Sequence, residues 1–216
     1  MCASNPAKLP VSSITLLPTA PRPAQPASLR YSTTTCQLGQ ALLAVRSDAT
    51  TLHHGLQPLA VLYLGDDDAE LEAALATVYP RNARVRDDAG LAALATAVRT
   101  AIDTPALAPP IPLVLAGTAF QQRVWQALCA IPAGQTRSYS ELTAELGDMK
   151  ALRAVARANG ANQIALLVPC HRVIGKHGAL TGYRWGLARK QALLAQEGHR
   201  FPSEAMPAAT VQMELS

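Results

Sequence analysis

Ile164–Gly175 reads IALLVPCHRVIG. Apolar residues carry the chain to Pro169, Cys170, His171 and Arg172 follow without a gap, and Val173 and Ile174 resume the apolar run. Such flanks predict a buried, strand-like approach and a buried exit, so the polar triplet is held in a fixed place. Pro169 locks its own φ and biases Val168 away from helix, which puts Cys170 at a rigid corner. A thiol beside an imidazole and a guanidinium sits in an electropositive setting, and that lowers a cysteine pKa and makes a thiolate. A cysteine in an apolar run is also a good small core hydrophobe. Neighbours on a strand point to opposite faces, so Cys170 and His171 need not touch. The triplet alone leaves both readings open.

Outward from this stretch, the second half reads as helices. Thr118 is an N-cap, and Phe120, Val124, Trp125, Leu128 and Cys129 form one apolar side. Ile131-Pro132-Ala133-Gly134 stops that helix. Ser138 followed by Glu141 makes a capping box, with Leu142 and Leu146 on the buried face. After Gly147 and Asp148 a third helix is predicted, with Leu152, Val155 and Ala156 inward and Lys150, Arg153 and Arg157 sharing the outward side. Helix, glycine turn and basic helix outline a helix-turn-helix. The small residues of the third helix, Ala154 among them, allow close approach to a duplex. Asn159-Gly160-Ala161-Asn162 ends it, just before the run into Cys170.

The chain has 216 residues, 49% hydrophobic and only 4% aromatic, which fits a globular protein with an ample core. No apolar run is long enough to span a membrane, and no secretory signal pattern opens the chain. Cys2, Cys36, Cys129 and Cys170 are scattered, with no CxxC pair and no zinc spacing. Free thiols in a reducing cytoplasm are expected, and neither metal nor cofactor. The net charge of +4 is unevenly placed: residues 117–200 hold eleven Lys or Arg against four Asp or Glu, and the remainder is acidic. A basic half fits a polyanionic partner or simply a basic surface.

The first half reads as a small α/β unit. Residues 1–28, rich in Pro, Ala and Ser, are expected to be a disordered leader. Tyr31–Thr35 and Gln40–Val45 form a hairpin turning near Leu38-Gly39. His53 and His54 lie in a polar loop. Leu59–Leu64 is a strand, and Asp66-Asp67-Asp68 caps the helix that follows it. A second helix is predicted over Asp88–Ile102. The domains are placed at 29–108 and 117–200, with 109–116 as linker and 201–216 as a flexible tail.

The segments GTAFQQRVWQAL, IPAGQTRSYSEL, RAVARANGANQIALLVPCHRV and GYRWGLARKQALLAQEG resemble the O6-alkylguanine-DNA alkyltransferase family. They cover the whole C-terminal half in order. GYRWG and the following RK are most similar to the methyltransferase half of the bacterial Ada-type adaptive-response proteins. RY, C.LG and LGDDDAEL extend the resemblance into the first domain, with an apparent insertion around Asp48–Pro58. The zinc-binding phosphotriester-repair module and the AraC-like domain of the full Ada-type proteins have no counterpart, so repair without transcriptional activation is expected.

The resemblance implies an RNase-H-like α/β first domain and a winged helix-turn-helix second domain carrying PCHR. It implies binding to double-stranded DNA through the minor groove, with the damaged nucleotide turned into a pocket; phosphate-dominated binding predicts weak sequence specificity, and a monomer is the simplest expectation. Alkyl groups on O6 of guanine, and on O4 of thymine, would pass irreversibly to Cys170, once per molecule. His171 would act as base through a water, oriented by Glu197. Asn162 would brace the turn, and Tyr139 would protonate the leaving guanine and help turn it out. Arg153 would fill the vacated stack, with Arg157, Ala154 and Arg172 also at the DNA. Val173, Tyr183, Arg184 and Trp125 would line the pocket. A cysteine hydrolase is the rival chemistry, but its histidine ordinarily lies far from the cysteine in sequence. A lesion sensor without chemistry carries another residue where Cys170 stands.

Overall fold

In the computed structural model of the chain, which describes residues 14–17 and 28–199, a six-stranded sheet organises the first half. The strands β1 (Ile14–Leu16), β2 (Leu29–Cys36) and β3 (Gly39–Arg46) come first. β2 and β3 form the expected hairpin, paired from Leu29↔Arg46 to Cys36↔Gly39. Gly39 turns it at φ +103°, where a β-carbon would collide with the Gly65 carbonyl, so only glycine serves. β4 (Leu59–Gly65) lies antiparallel to β3 and is buried throughout. The acidic run then caps α1 (Asp68–Val78): Asp67 accepts a hydrogen bond from the Glu70 amide at 3.0 Å.

β5 (Arg84–Arg86) pairs parallel with β2. α2 (Ala92–Asp103) begins later than the expected Asp88, because Asp87 and Asp88 are engaged elsewhere. Asp87 accepts from Arg30 and from the Gly90 amide, and Asp88 from Ser32 and Arg86, so residues 88–91 form a turn. β6 (Ile111–Leu113) completes the order β1-β6-β4-β3-β2-β5. Two expectations are corrected here. The stretch 109–116 is not a bare linker, since β6 is a sheet strand with fully buried residues. Within 1–28, Ile14–Leu16 is a strand parallel to β6, not disordered leader; the rest of 1–27 apart from Leu17 lies outside the described residues, as does the tail 201–216. Short apolar triplets between prolines carry too little periodicity to be read as strands.

The second half is mainly helical. α3 (Ala119–Ala130) has a complete capping box from Thr118 and Gln121. β7 (Arg137–Ser138) leads into α4 (Tyr139–Glu145), whose capping box is Ser138 with Glu141, as expected. A 3-10 turn, Met149–Ala151, precedes α5 (Leu152–Gly160). β8 (Val173–Ile174) lies parallel to β7, and α6 (Leu187–Gln196) closes the domain. The helix-turn-helix is present in α4 and α5. Its inward face is Val155, Ala158 and Asn159, while Leu152 and Ala156, expected inward, are exposed. Ala156 stands about 100° round the helix from Val155, off the buried stripe, and Leu152 lies in the first turn beside the exposed Met149.

The two halves share main-chain bonds. β6 pairs with β4 only at Leu59↔Leu113. Further along β4, its open edge is taken by the segment approaching Cys170: the Leu62 amide donates to Gln163 O at 2.8 Å, and the Ala165 amide donates to Leu62 O at 2.9 Å. Gln196 of α6 donates to Ile102 O at 3.1 Å, and Arg189 reaches both Leu38 O and the Asp66 carboxylate.

Candidate active site

The approach to Cys170 is buried as expected but is not a strand. Only Ile164 makes a bridge, to Leu62, and residues 165–168 are a turn in which Leu166 adopts φ 61°. A left-handed leucine costs about 1–3 kcal/mol. It persists because Ile164, Ala165, Leu166, Leu167 and Val168 are all packed in the core. Cys170, His171 and Arg172 form a 3-10 turn behind Pro169, all three buried.

Asn162 fastens this turn. Its side-chain oxygen accepts from the Ile164 amide at 2.9 Å. Its nitrogen lies within hydrogen-bond reach of Ile164 O, Val168 O and, at 3.1 Å, the Cys170 Sγ. The thiol is therefore held by a side-chain donor that also holds its backbone.

Glu197 caps α6 and is the hub on the other side. It accepts from His171 Nε2 at 3.0 Å, from Arg172 Nε and Nη2 (the latter at 2.7 Å), and from the Gly134 amide at 3.2 Å. Burial works against its charge, but the bonds and charges of His171 and Arg172 prevail and hold its pKa down to about 2. An ionised carboxylate only accepts, so His171 donates from Nε2, and a neutral ring then leaves Nδ1 as the acceptor. Burial lowers the His171 pKa, which favours that neutral form. Its Nδ1 is buried with no hydrogen-bond partner among the described residues.

Arg172 corrects one expectation. It is 6% exposed and fully engaged, by Glu197 and by Ile131 O at 2.5 Å, so it cannot reach DNA. Trp125 corrects another: its indole N–H donates to Ala158 O at 2.8 Å, so it ties α3 to α5 as a core residue. Arg184 is exposed, with its guanidinium 5.2 Å from the centre of the Tyr63 ring. Val173 has its amide bonded to Cys170 O and its carbonyl to Lys190 Nζ at 2.6 Å. That carbonyl keeps a second lone pair for a further donor.

Tyr139 and Tyr183 both lie within electrostatic range of the thiol. The Tyr139 hydroxyl accepts from Asn159 Nδ2 at 3.3 Å. The Tyr183 hydroxyl is buried without a partner among the described residues, and its ring stands edge-on to His171 and Trp185. Burial raises both tyrosine pKa values, with the Cys170 charge adding to the effect, so both remain phenols. Arg153 and Arg157 are exposed on α5 with no ion pair among the described residues, and Ala154 is half-buried beside them.

Lys190 is a site residue that sequence reasoning passed over. It is fully buried and donates to Val173 O and, at 2.8 Å, to Thr181 O, which joins β8 to the loop leading to Tyr183. Burial brings its pKa down to about 8, with the neighbouring Cys170 opposing. The signal was there: a lysine three and four residues from Leu193 and Leu194 stands on the buried stripe of α6.

The charge setting of Cys170 also differs from expectation. Burial pushes its thiol up to about 11, and Asn162, Lys190 and Arg184 offset this only in part. Neighbouring cations do not yield a thiolate when the sulfur is this dry. Iodoacetamide labelling of Cys170 in the free protein should therefore rise about tenfold per pH unit from pH 7 to 10 without a plateau. Peptide mass spectrometry measures this; a plateau near pH 7 would mean that the thiolate is already formed.

Residues 119–199 match the family model for the 6-O-methylguanine DNA methyltransferase, DNA binding domain. The regulatory protein ada of Salmonella typhimurium is 42% identical over 173 residues, covering 80% of this chain and 46% of that protein. The crystal structure of the Mycobacterium tuberculosis O6-methylguanine methyltransferase is similar at 35% identity and TM-score 0.61, over 83% of this chain and 96% of that one. The M. tuberculosis OGT in complex with DNA is similar at 37% identity and TM-score 0.60, over 78% and 92%. The chain spans about half the length of the curated relatives it matches, from 46% to 57%.

Proposed function

The chain belongs to the 6-O-methylguanine DNA methyltransferase family, and from that premise we propose that it repairs alkylated DNA by direct reversal. It would take a methyl or small alkyl group from O6 of guanine, or O4 of thymine, onto Cys170. The observation that carries this reading is one buried turn holding an Asn162-bound thiol next to a histidine whose Nε2 is fixed by Glu197.

The chemistry follows from these groups. The lesion must leave the stack, because a stacked base cannot present its alkyl carbon to a protein sulfur. The thiol proton passes to His171 Nδ1, through a water. Sulfur attacks the alkyl carbon, the carbon–O6 bond breaks, and guanine leaves with a proton from Tyr139. Protonation makes guanine the better leaving group. The product is a thioether, which no group in the site can hydrolyse, so each molecule reacts once. Asn162 positions the sulfur, and Lys190 favours the anion transiently formed beside it.

We place duplex DNA on the α4–α5 face, approached through the minor groove, with Arg153 taking the space of the extruded nucleotide and Arg157 at the phosphates. The relative crystallised with DNA supports a DNA partner. Weak sequence specificity follows from phosphate-dominated binding. We take it to act as a monomer in the cytoplasm, a reducing compartment in which Cys36, Cys129 and Cys170, free thiols among the described residues, would stay reduced. No helix among them is long and apolar enough to cross a membrane.

The test is mass spectrometry after incubation with a duplex bearing one O6-methylguanine. One methyl on Cys170 alone, with yield stopping at one per protein, supports the reading; tight binding with no modified cysteine makes the protein a sensor. Arg157→Ala should weaken duplex binding and reduce the slope of log affinity against log salt by about 1. Fluorescence anisotropy across a salt series measures it; an unchanged slope would place DNA elsewhere.

A further inference from the structure

Tyr63 is a first-domain residue that the mechanism above does not use. It is 1% exposed, in the middle of β4. Its hydroxyl donates to Gln163 Oε1 at 2.5 Å, one hundred residues away in sequence. Gln163 is thereby held at three points. Its main-chain oxygen accepts from Leu62, its side-chain oxygen accepts from Tyr63, and its side-chain nitrogen donates to Ala161 O at 2.9 Å. Asn162 on one side of it fixes the Cys170 sulfur, and Ile164 on the other makes the bridge to Leu62.

The other side of the Tyr63 ring is also engaged. Arg184 lies over it, 5.2 Å from its centre, within the range of a cation–π contact. Arg184 directly follows Tyr183, whose hydroxyl is buried and whose ring stands edge-on to His171, and precedes Trp185, which packs edge-on against Tyr183. One side chain of the first domain thus touches both segments that form the pocket: the turn carrying the thiol and the loop carrying Tyr183. Burial raises the Tyr63 pKa well above that of a free phenol, so the donor persists at any working pH.

We propose that Tyr63 is a positioning residue for alkyl transfer, which registers the Cys170 turn through Gln163 and the Tyr183 loop through Arg184. The proposal rests on the alkyl-transfer reading for its substrate, but the geometry it describes can be tested without that substrate. The first domain is then a working part of the site, since β4 holds the segment that leads to Cys170. A loosened turn would let the sulfur leave its aligned place and meet solvent more often.

Two rates therefore move in opposite directions. In Tyr63→Phe the single-turnover rate of methyl uptake from an O6-methylguanine duplex should fall about tenfold, with lesion-duplex Kd unchanged. Iodoacetamide labelling of Cys170 should rise several-fold in the same variant. Gln163→Leu should reproduce both changes, and the double variant should be no worse than either single one, because the two residues act as a pair. Thermal melts of all four proteins show whether each is folded.

Equal methylation rates in wild type and Tyr63→Phe would overturn the proposal. So would additive losses in the double variant, or a rise in labelling that merely tracks the fall in melting temperature across the variants, which is what simple destabilisation gives because unfolding bares a buried thiol. If the wild type takes no methyl from the duplex, the alkyl-transfer reading fails, and the iodoacetamide arm still decides whether Tyr63 registers the turn.

Discussion

Glu197→Gln is expected to destabilise the protein by about 3–5 kcal/mol, the range for breaking a buried ion pair from one side. The carboxylate faces the Arg172 guanidinium and the His171 ring in a place where both are shielded from water. An amide has similar shape but no charge and only one acceptor oxygen, so Arg172 would be left as a buried cation without a counter-charge, with an NH2 set against the donors that Glu197 now accepts from. His171 would face a weaker, neutral acceptor that Arg172 competes for, so its tautomer is less firmly set and methyl uptake should also slow. The pH dependence gives an independent check. The Glu197 pKa is depressed to about 2 in the folded chain, while an unfolded glutamate titrates near 4.3. Its stabilisation is therefore complete above the unfolded value and is lost as pH falls through the folded one. Denaturant melts from pH 7 down to pH 3 should show the wild type losing part of its advantage below about pH 4.3, while the variant lacks that component. Parallel curves for the two proteins would show that the carboxylate is not the source of the stabilisation.

Cys170→Ser should abolish alkyl uptake, by more than about a thousandfold, as removal of a nucleophile does in other enzymes. The site offers Asn162 as a donor to the nucleophile and a neutral His171 as base. That suffices for a soft, polarisable sulfur but not for a hydroxyl of much higher pKa. Lesion binding should survive, because the exposed arginines of α5 are separate from the thiol. The paired readout is intact mass for alkyl uptake and anisotropy for binding to the lesion duplex. Methyl uptake by the serine variant would point to another acceptor. Cys129 is a poor candidate, since burial raises its thiol to about 12.

Much of this architecture was legible wherever local chemistry carries its own signature. The hairpin was read from its turn near Leu38-Gly39, and one capping box from Ser138 and Glu141 three residues apart, whereas Gln121 as the partner of Thr118 emerged only in the structure. Cys170, His171, Glu197, Asn162 and Tyr139 were named from the family resemblance; the structure joins Asn162 to the Cys170 sulfur and Glu197 to His171. What escaped was information carried by tertiary partners. Arg172 was placed at the DNA on resemblance; only Glu197 and Ile131 reveal it as an internal cation. The low Cys170 pKa expected from its cationic neighbours omitted desolvation, which depends on packing that sequence does not display. Tyr63 and Lys190 were hidden for the same reason, since each acts on a segment distant in the chain. Trp125 was assigned to the pocket on resemblance, but its N–H is spent on Ala158 O.

Ile14–Leu16 has a practical meaning for anyone shortening the chain. Composition suggests trimming at Ser28, yet that cut would strip the strand hydrogen-bonded to Ile111–Leu113. The bared row of amides and carbonyls along that rim is the kind of surface that recruits other chains and seeds aggregation. A fragment meant for biophysical work should begin ahead of residue 14, and turbidity in shorter versions would be a property of the cut, not of the protein.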